Sequence, residues 1–285
     1  MRTAGLFFSH VRGARIDAHY ARLVRESGER IEWRFVRNRG NHPAPRSDLP
    51  CQAPRNCLPL RYREAMLNGG VVGGYLDTAI WPCLLSIDAE FTWVMEYDVD
   101  FSGSWGSFFE RFQDDDADLL TAWICSRPEA DEWFWWRSAR APAVISEARM
   151  LRGFHPLIRV SRRFAEAYRR IVADPGWGGH YEFTLPTVAV AAGLRLGDIG
   201  GGGPSPACRH LTRETFRWKP AQPFYFHEAP EQFPLPEKLY HPVKPQTLAA
   251  PRQPSRLLKT CRKIVGRCLS ERPALHAASA FGVPE

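Results

Sequence analysis

The alternation of apolar and polar positions divides the first two hundred residues into strands and helices. Thr3 to Ser9 is a short apolar run that predicts a buried strand. In "IDAHYARLVRES" the residues Ile16, Tyr20, Leu23 and Val24 recur at helical spacing and predict an amphipathic helix. "IEWRFVRN" (31–38) is rich in residues that favour strands. These segments open the chain as β-α-β, the start of an α/β sheet. Residues 39–60 hold five Pro and two Cys and are expected to form a long loop. A helix is expected from about Tyr75, interrupted near Pro82. Phe91–Tyr97 predicts a strand, "SWGSFFERFQ" a helix capped by Ser102 or Ser104, and 118–125 another strand. Residues 160–173 carry Phe164, Ala167, Tyr168 and Ile171 on one helical side. "YEFTLPTVAVAAG" predicts a helix ending at Gly193, and "LRLGDIG" a strand. One α/β domain is therefore expected, irregular and Pro-rich from about residue 204.

The apolar strand at 91–97 runs into three acids, Glu96, Asp98 and Asp100. If the strand continues, alternation puts all three on one face. Carboxylates crowded there repel one another and resist burial. A divalent cation or an opening to water would relieve that cost, and strand carboxyl ends of open α/β sheets are where ligands bind. Hard oxygen donors suit Mg²⁺ or Mn²⁺, which often hold phosphates. The plainer reading is a solvated strand end whose acids cap the following helix.

Composition changes this picture little. The chain has 285 residues, 44% hydrophobic and 24% charged, enough for a sizeable core. No apolar run approaches the roughly 20 residues needed to span a bilayer, and the first residues lack a signal-peptide pattern, so a cytoplasmic protein is expected. The seven cysteines form no CxxC pair, which argues for reduced thiols rather than a zinc knuckle. The net charge is +7, but residues 246–285 hold seven Lys/Arg against two acids and so carry +5 of it. Nucleic-acid binding by the core is thus disfavoured. Within that basic tail, Leu257, Leu258, Cys261, Ile264, Val265 and Cys268 have helical spacing, which allows a membrane-surface or partner helix as well as a solvated tail.

"TWVMEYDVDFSGSWGSFFERF" resembles the acidic-motif region of GT-A-fold glycosyltransferases, and in particular glycosyltransferase-like proteins with an E-x-D-V-x-F-S/T-G-x-W block. "GLFFSH" is similar to the first strand and nucleotide-binding loop of that family, "GWGGHYEFTLPTVAVAAGL" to a downstream block, and "KLYHPVK" to a closing motif. The resemblance spans residues 3 to 244. It implies a GT-A-like, Rossmann-like mixed sheet flanked by helices over residues 1–244, with 245–285 as a basic tail. It further implies a Mn²⁺- or Mg²⁺-dependent transfer of a sugar from a nucleotide-sugar donor to a glycan, lipid or protein acceptor. Ser9, His10, Glu96 and Asp98 would contact the donor. Asp98, Asp100 and a C-terminal histidine would hold the metal; His241 is preferred to His227.

Glu182 and His180 stand at the predicted start of a helix, whose N-terminus favours an ionised acid. Either could take the proton of an acceptor hydroxyl; the resemblance points to Glu182, while a first-turn Glu that merely stabilises the helix fits equally. "DEWFWW" (131–136) offers aromatic faces for a sugar ring or for core packing. Lys244 is a candidate phosphate contact. Two other classes remain open, a sugar- or nucleotide-binding protein without catalysis and a metal-dependent phosphohydrolase.

Overall fold

The structure is a computed structural model that describes residues 2–11, 13–37, 57–199, 210–217, 226–227 and 229–244. The elements in chain order are β1 (Thr3–Ser9), α1 (Ala14–Ser27), β2 (Ile31–Arg37), α2 (Pro59–Leu67), α3 (Asp77–Ser86), β3 (Phe91–Glu96), β4 (Asp100–Phe101), α4 (Trp105–Glu110), β5 (Leu119–Ser126), β6 (Leu151–Ser161), α5 (Arg162–Ile171), α6 (Tyr181–Ala191), β7 (Leu196–Asp198) and β8 (Leu239–Tyr240). Six strands form a mixed sheet in the order β2-β1-β3-β6-β5-β7. β1 lies parallel to β2 and β3, β6 runs antiparallel to β3 and β5, and β7 is parallel to β5. The fold is α/β and compatible with a Rossmann-like arrangement. The predicted tail helix lies outside the described residues.

Strand alternation distributes the core over two faces. On one, Leu6, Phe8 and Val94 pack with Trp81 of α3, Phe164 and Tyr168 of α5 and Leu185 of α6. On the other, Phe7, Trp33, Trp93 and Met95 pack with α1 and α4 through Leu23, Trp105, Phe108 and Phe109. Gly5 is needed where it stands, because a Cβ there would lie 2.3 Å from the Trp33 ring. Ile16 and Leu23 of α1 are buried as the spacing predicts, but Val24 is 40% exposed.

Three local expectations change. α3 runs through Pro82 without interruption. An interior proline costs a helix about 3 kcal/mol. Buried Ile80, Trp81 and Leu84 offset it, at about 1.5–3 kcal/mol for each large apolar side chain. The helix α4 does start after Ser104, but the Ser104 side chain makes no cap; the Trp105 N–H donates to the Glu26 carboxylate at 3.0 Å. Ser102 instead donates its hydroxyl to the carbonyl of Leu235 at 2.7 Å. Finally, β6 and α2 were not expected. β6 is the long strand that joins the two halves of the sheet, and Pro156 in its middle masks it in sequence. The structure accommodates the proline at an irregularity, where the pairing with β5 is lost between Phe154 and Arg159.

Candidate active site

The parallel register of β1 and β3 brings their carboxyl ends side by side, with Phe8 opposite Glu96. The Tyr97 N–H then donates to the Phe8 carbonyl at 2.8 Å and the chain turns. Residues 239–244 return across this turn. β8 pairs with β4, Tyr240 opposite Asp100, and the Val243 N–H donates to the Asp98 carbonyl at 2.8 Å. His241 and Lys244 are thereby fixed over Asp98. From the antiparallel side β6 contributes Phe154 and Pro156, and the start of α6 contributes His180, Tyr181 and Glu182. Together these enclose a cavity of about 360 Å³, within the range usual for small-molecule sites.

Ser9, His10, Glu96, Asp98, His180, Glu182 and His241, all singled out in sequence, line this one cavity. Asp100 does not join them. The strand ends at Glu96, the Val99 N–H bonds back to the Glu96 carbonyl at 3.1 Å, and alternation is broken before Asp100 begins β4. The Asp100 carboxylate accepts from Arg22 at 2.9 Å and from the Phe101 N–H at 2.8 Å. It faces a neighbouring hollow with His19 and His227. The metal assignment of Asp100 is therefore corrected, and His227 is likewise absent from the cavity of Asp98.

Glu96, Asp98 and His241 each offer one donor atom, and the three atoms lie within 4.8 Å of one another. His241 Nδ1 sits 2.8 Å from the Arg217 carbonyl, which can only accept, so the ring proton is on Nδ1 and the Nε2 lone pair is free. Nε2 is 3.8 Å from Asp98 Oδ1. That oxygen is buried and has no hydrogen-bond partner. A buried carboxylate oxygen without a partner is costly, and two carboxylate oxygens with one imidazole nitrogen make a mixed donor set that suits a first-row divalent ion such as Mn²⁺ better than Mg²⁺. The residues fit a divalent cation. The second Asp98 oxygen pairs with Lys244, which also donates to the Tyr97 hydroxyl at 2.7 Å.

Charge in the cavity follows from these contacts. Burial raises the Asp98 carboxyl, but Lys244 and His241 more than offset it, and its pKa falls below the ordinary value. Glu96 is pushed up to about 8, first by burial and then by Asp98. Glu182, 7% exposed, is also pushed up to about 8, mainly by burial. Burial similarly lowers His180 to about 3, so its ring is neutral. His180 Nδ1 accepts the Glu182 N–H at 3.2 Å as the N-cap of α6. That lone pair is used, so Glu182 is better placed than His180 to act as a base.

The loop before α6 is anchored from behind. Arg61 of α2 donates to the Gly179 carbonyl at 2.6 Å and to Asp77 at 2.8 Å, while Glu64 accepts the Gly179 N–H at 3.0 Å. Gly179 has φ +104°, and its φ and the Ser138 carbonyl beside it exclude a larger residue. The aromatic stretch 131–136 packs on the same loop. Trp133 meets His180 edge-on at 5.6 Å and Trp135 lies tilted over it at 4.9 Å. Trp136 instead is buried in a small cluster with Phe183 and Met150. Arg61, Glu64 and Tyr181 escaped sequence reading because α2 followed a Pro-rich run and Tyr181 read as one more apolar helix residue.

No protein-family profile matches this chain, and a search of curated proteins finds no match. Among the described residues, no helix is long and apolar enough to cross a membrane.

Proposed function

We propose that this chain is a metal-dependent glycosyltransferase of GT-A-like architecture, moving a sugar from a nucleotide-sugar donor to a hydroxyl acceptor. The observation that carries the reading is that one cavity holds two separate acidic centres. Glu96, Asp98 and His241 form a cation-binding set at the end of β3, and Glu182 stands apart at the start of α6. The motif resemblance described above gives this pairing its chemical direction.

In this reading Glu96, Asp98 and His241 hold the divalent cation, which when bound neutralises the charge of the departing nucleoside diphosphate. Ser9 and His10, at the end of β1, contact the donor. Lys244 adds a positive charge beside the same phosphates. Glu182 accepts the proton of the acceptor hydroxyl as the new glycosidic bond forms. A base works best when its pKa lies near the working pH, and the buried Glu182 at about 8 meets that condition.

The test is a thermal-shift screen of nucleoside diphosphates and nucleotide sugars with and without Mn²⁺, followed by assay of donor cleavage. Stabilisation that needs both nucleotide and Mn²⁺ supports the reading, and its absence for every nucleotide counts against it. The ion pair of Lys244 with Asp98 favours a second reading, a nucleotide- or sugar-binding protein that needs no metal. Equal stabilisation in EDTA, with no donor cleavage, selects it.

A further inference from the structure

Arg152 is a charged group that the mechanism above does not use. It stands in β6 two residues before Phe154, which lines the cavity. Among the described residues, none hydrogen-bonds to its guanidinium or forms an ion pair with it, and its Nε is buried without a partner. The guanidinium lies 5.9 Å from the centre of the Trp133 ring, and its charge acts on Glu182. Trp133 and Trp135 in turn border His180. A half-buried cation with unused donors, near the Trp133 ring and the proposed base, is an incomplete contact set. A guanidinium is matched in shape and charge by a planar or tetrahedral oxyanion, to which it donates two parallel hydrogen bonds. The cavity lining itself already has a cation in Lys244, paired with Asp98.

We propose that Arg152 binds a carboxylate or phosphate group of the acceptor, whose ring rests against Trp133 and Trp135 while its hydroxyl meets Glu182. The word acceptor rests on the transfer reading; the anion site itself does not.

Binding is measured by calorimetry in EDTA, with methyl glucuronide, glucose 6-phosphate and neutral methyl glucoside as probes. Wild type, Arg152→Gln, Arg152→Lys and Trp133→Leu are compared, and Mn²⁺-dependent stabilisation by nucleoside diphosphates is read in parallel. Wild type is expected to prefer at least one anionic probe over the glucoside by about tenfold or more, the scale of one charge-assisted contact. The better of the two anionic probes names the oxyanion. Arg152→Gln is expected to abolish the preference and Arg152→Lys to keep part of it. If Arg152→Gln does not fold, loss of the wild-type preference between low and 0.5 M salt, on the order of tenfold, replaces that arm. Equal binding of charged and neutral probes, no binding of any probe, or a preference that survives Arg152→Gln overturns the proposal. Arg152-dependent anion binding without any nucleotide response keeps the anion site and removes the transfer reading. A nucleotide response without anion preference does the reverse.

Discussion

Replacing Glu182 by Gln is expected to stabilise the protein while abolishing transfer, and the stabilisation should depend on pH. In the folded chain burial raises the Glu182 carboxyl from the ordinary 4.5 to about 8. Between those values the folded state binds more protons than the unfolded state, so stability is full below 4.5 and is lost as pH rises through 8. At 1.36 kcal/mol per pH unit, the loss at pH 9 is about 5 kcal/mol, and about 3 at pH 7. Gln keeps the shape and neutral hydrogen-bonding capacity of the protonated acid but never ionises. Glu182→Gln and wild type should therefore melt together at pH 4 in EDTA. At pH 9 the variant should melt roughly 10–20 °C higher, taking about 2–4 °C per kcal/mol for a domain of this size. Other titrating groups contribute to both proteins and largely cancel in the comparison at each pH. A gap of the same size at both pH values, or a variant less stable at both, would refute the argument that Glu182 is buried at an ionisation cost.

Further outcomes follow from the same contacts. With Mn²⁺ saturating, kcat/KM should rise with pH and level off above about 8, because Glu182 acts once deprotonated; a profile that falls over this range removes it as the base. Asp98→Ala should lose the Mn²⁺-induced thermal shift and lower donor cleavage by about 10²-fold or more, the scale of a lost electrostatic contact to a reacting group. Asp100→Asn should keep the Mn²⁺ shift and cost only about 1–3 kcal/mol of stability through its bond from Arg22. Lys244→Met leaves Asp98 buried without its cation and should destabilise the chain by about 3–5 kcal/mol in EDTA. Mn²⁺ should restore part of that loss, and unfolding curves that Mn²⁺ does not move would argue against a cation at Glu96, Asp98 and His241.

The sequence was most legible where one period governed a whole element. β1, β2 and the amphipathic α5 follow their apolar patterns closely, and Ser161 caps α5 by accepting the Phe164 N–H. It was least legible where backbone geometry overrode pattern. Pro156 masked β6, and the turn after Glu96 sent Asp100 away from Asp98 although their spacing read as one face. The candidate ligands Glu96, Asp98 and His241 were identifiable as residue types at a strand end and in a late motif. Their meeting depends on β4 pairing with β8, and two-residue strands leave almost no periodic signal. Arg152 was hidden for a different reason: a single arginine on a strand is ordinary until its lack of partners is visible.

The return of residues 239–244 also sets an order of assembly. During synthesis the sheet, α6 and the carboxylates of Glu96 and Asp98 emerge well before His241 and Lys244. Until that last segment docks, Asp98 has neither of the cationic or basic neighbours that offset its burial. Without that segment Glu96 and Asp98 are expected to open to water instead of lining a finished cavity. A chain cut anywhere between residues 199 and 239 could retain most of its core yet lack the site. Loss of cation response would then report a missing closing segment long before loss of secondary structure did.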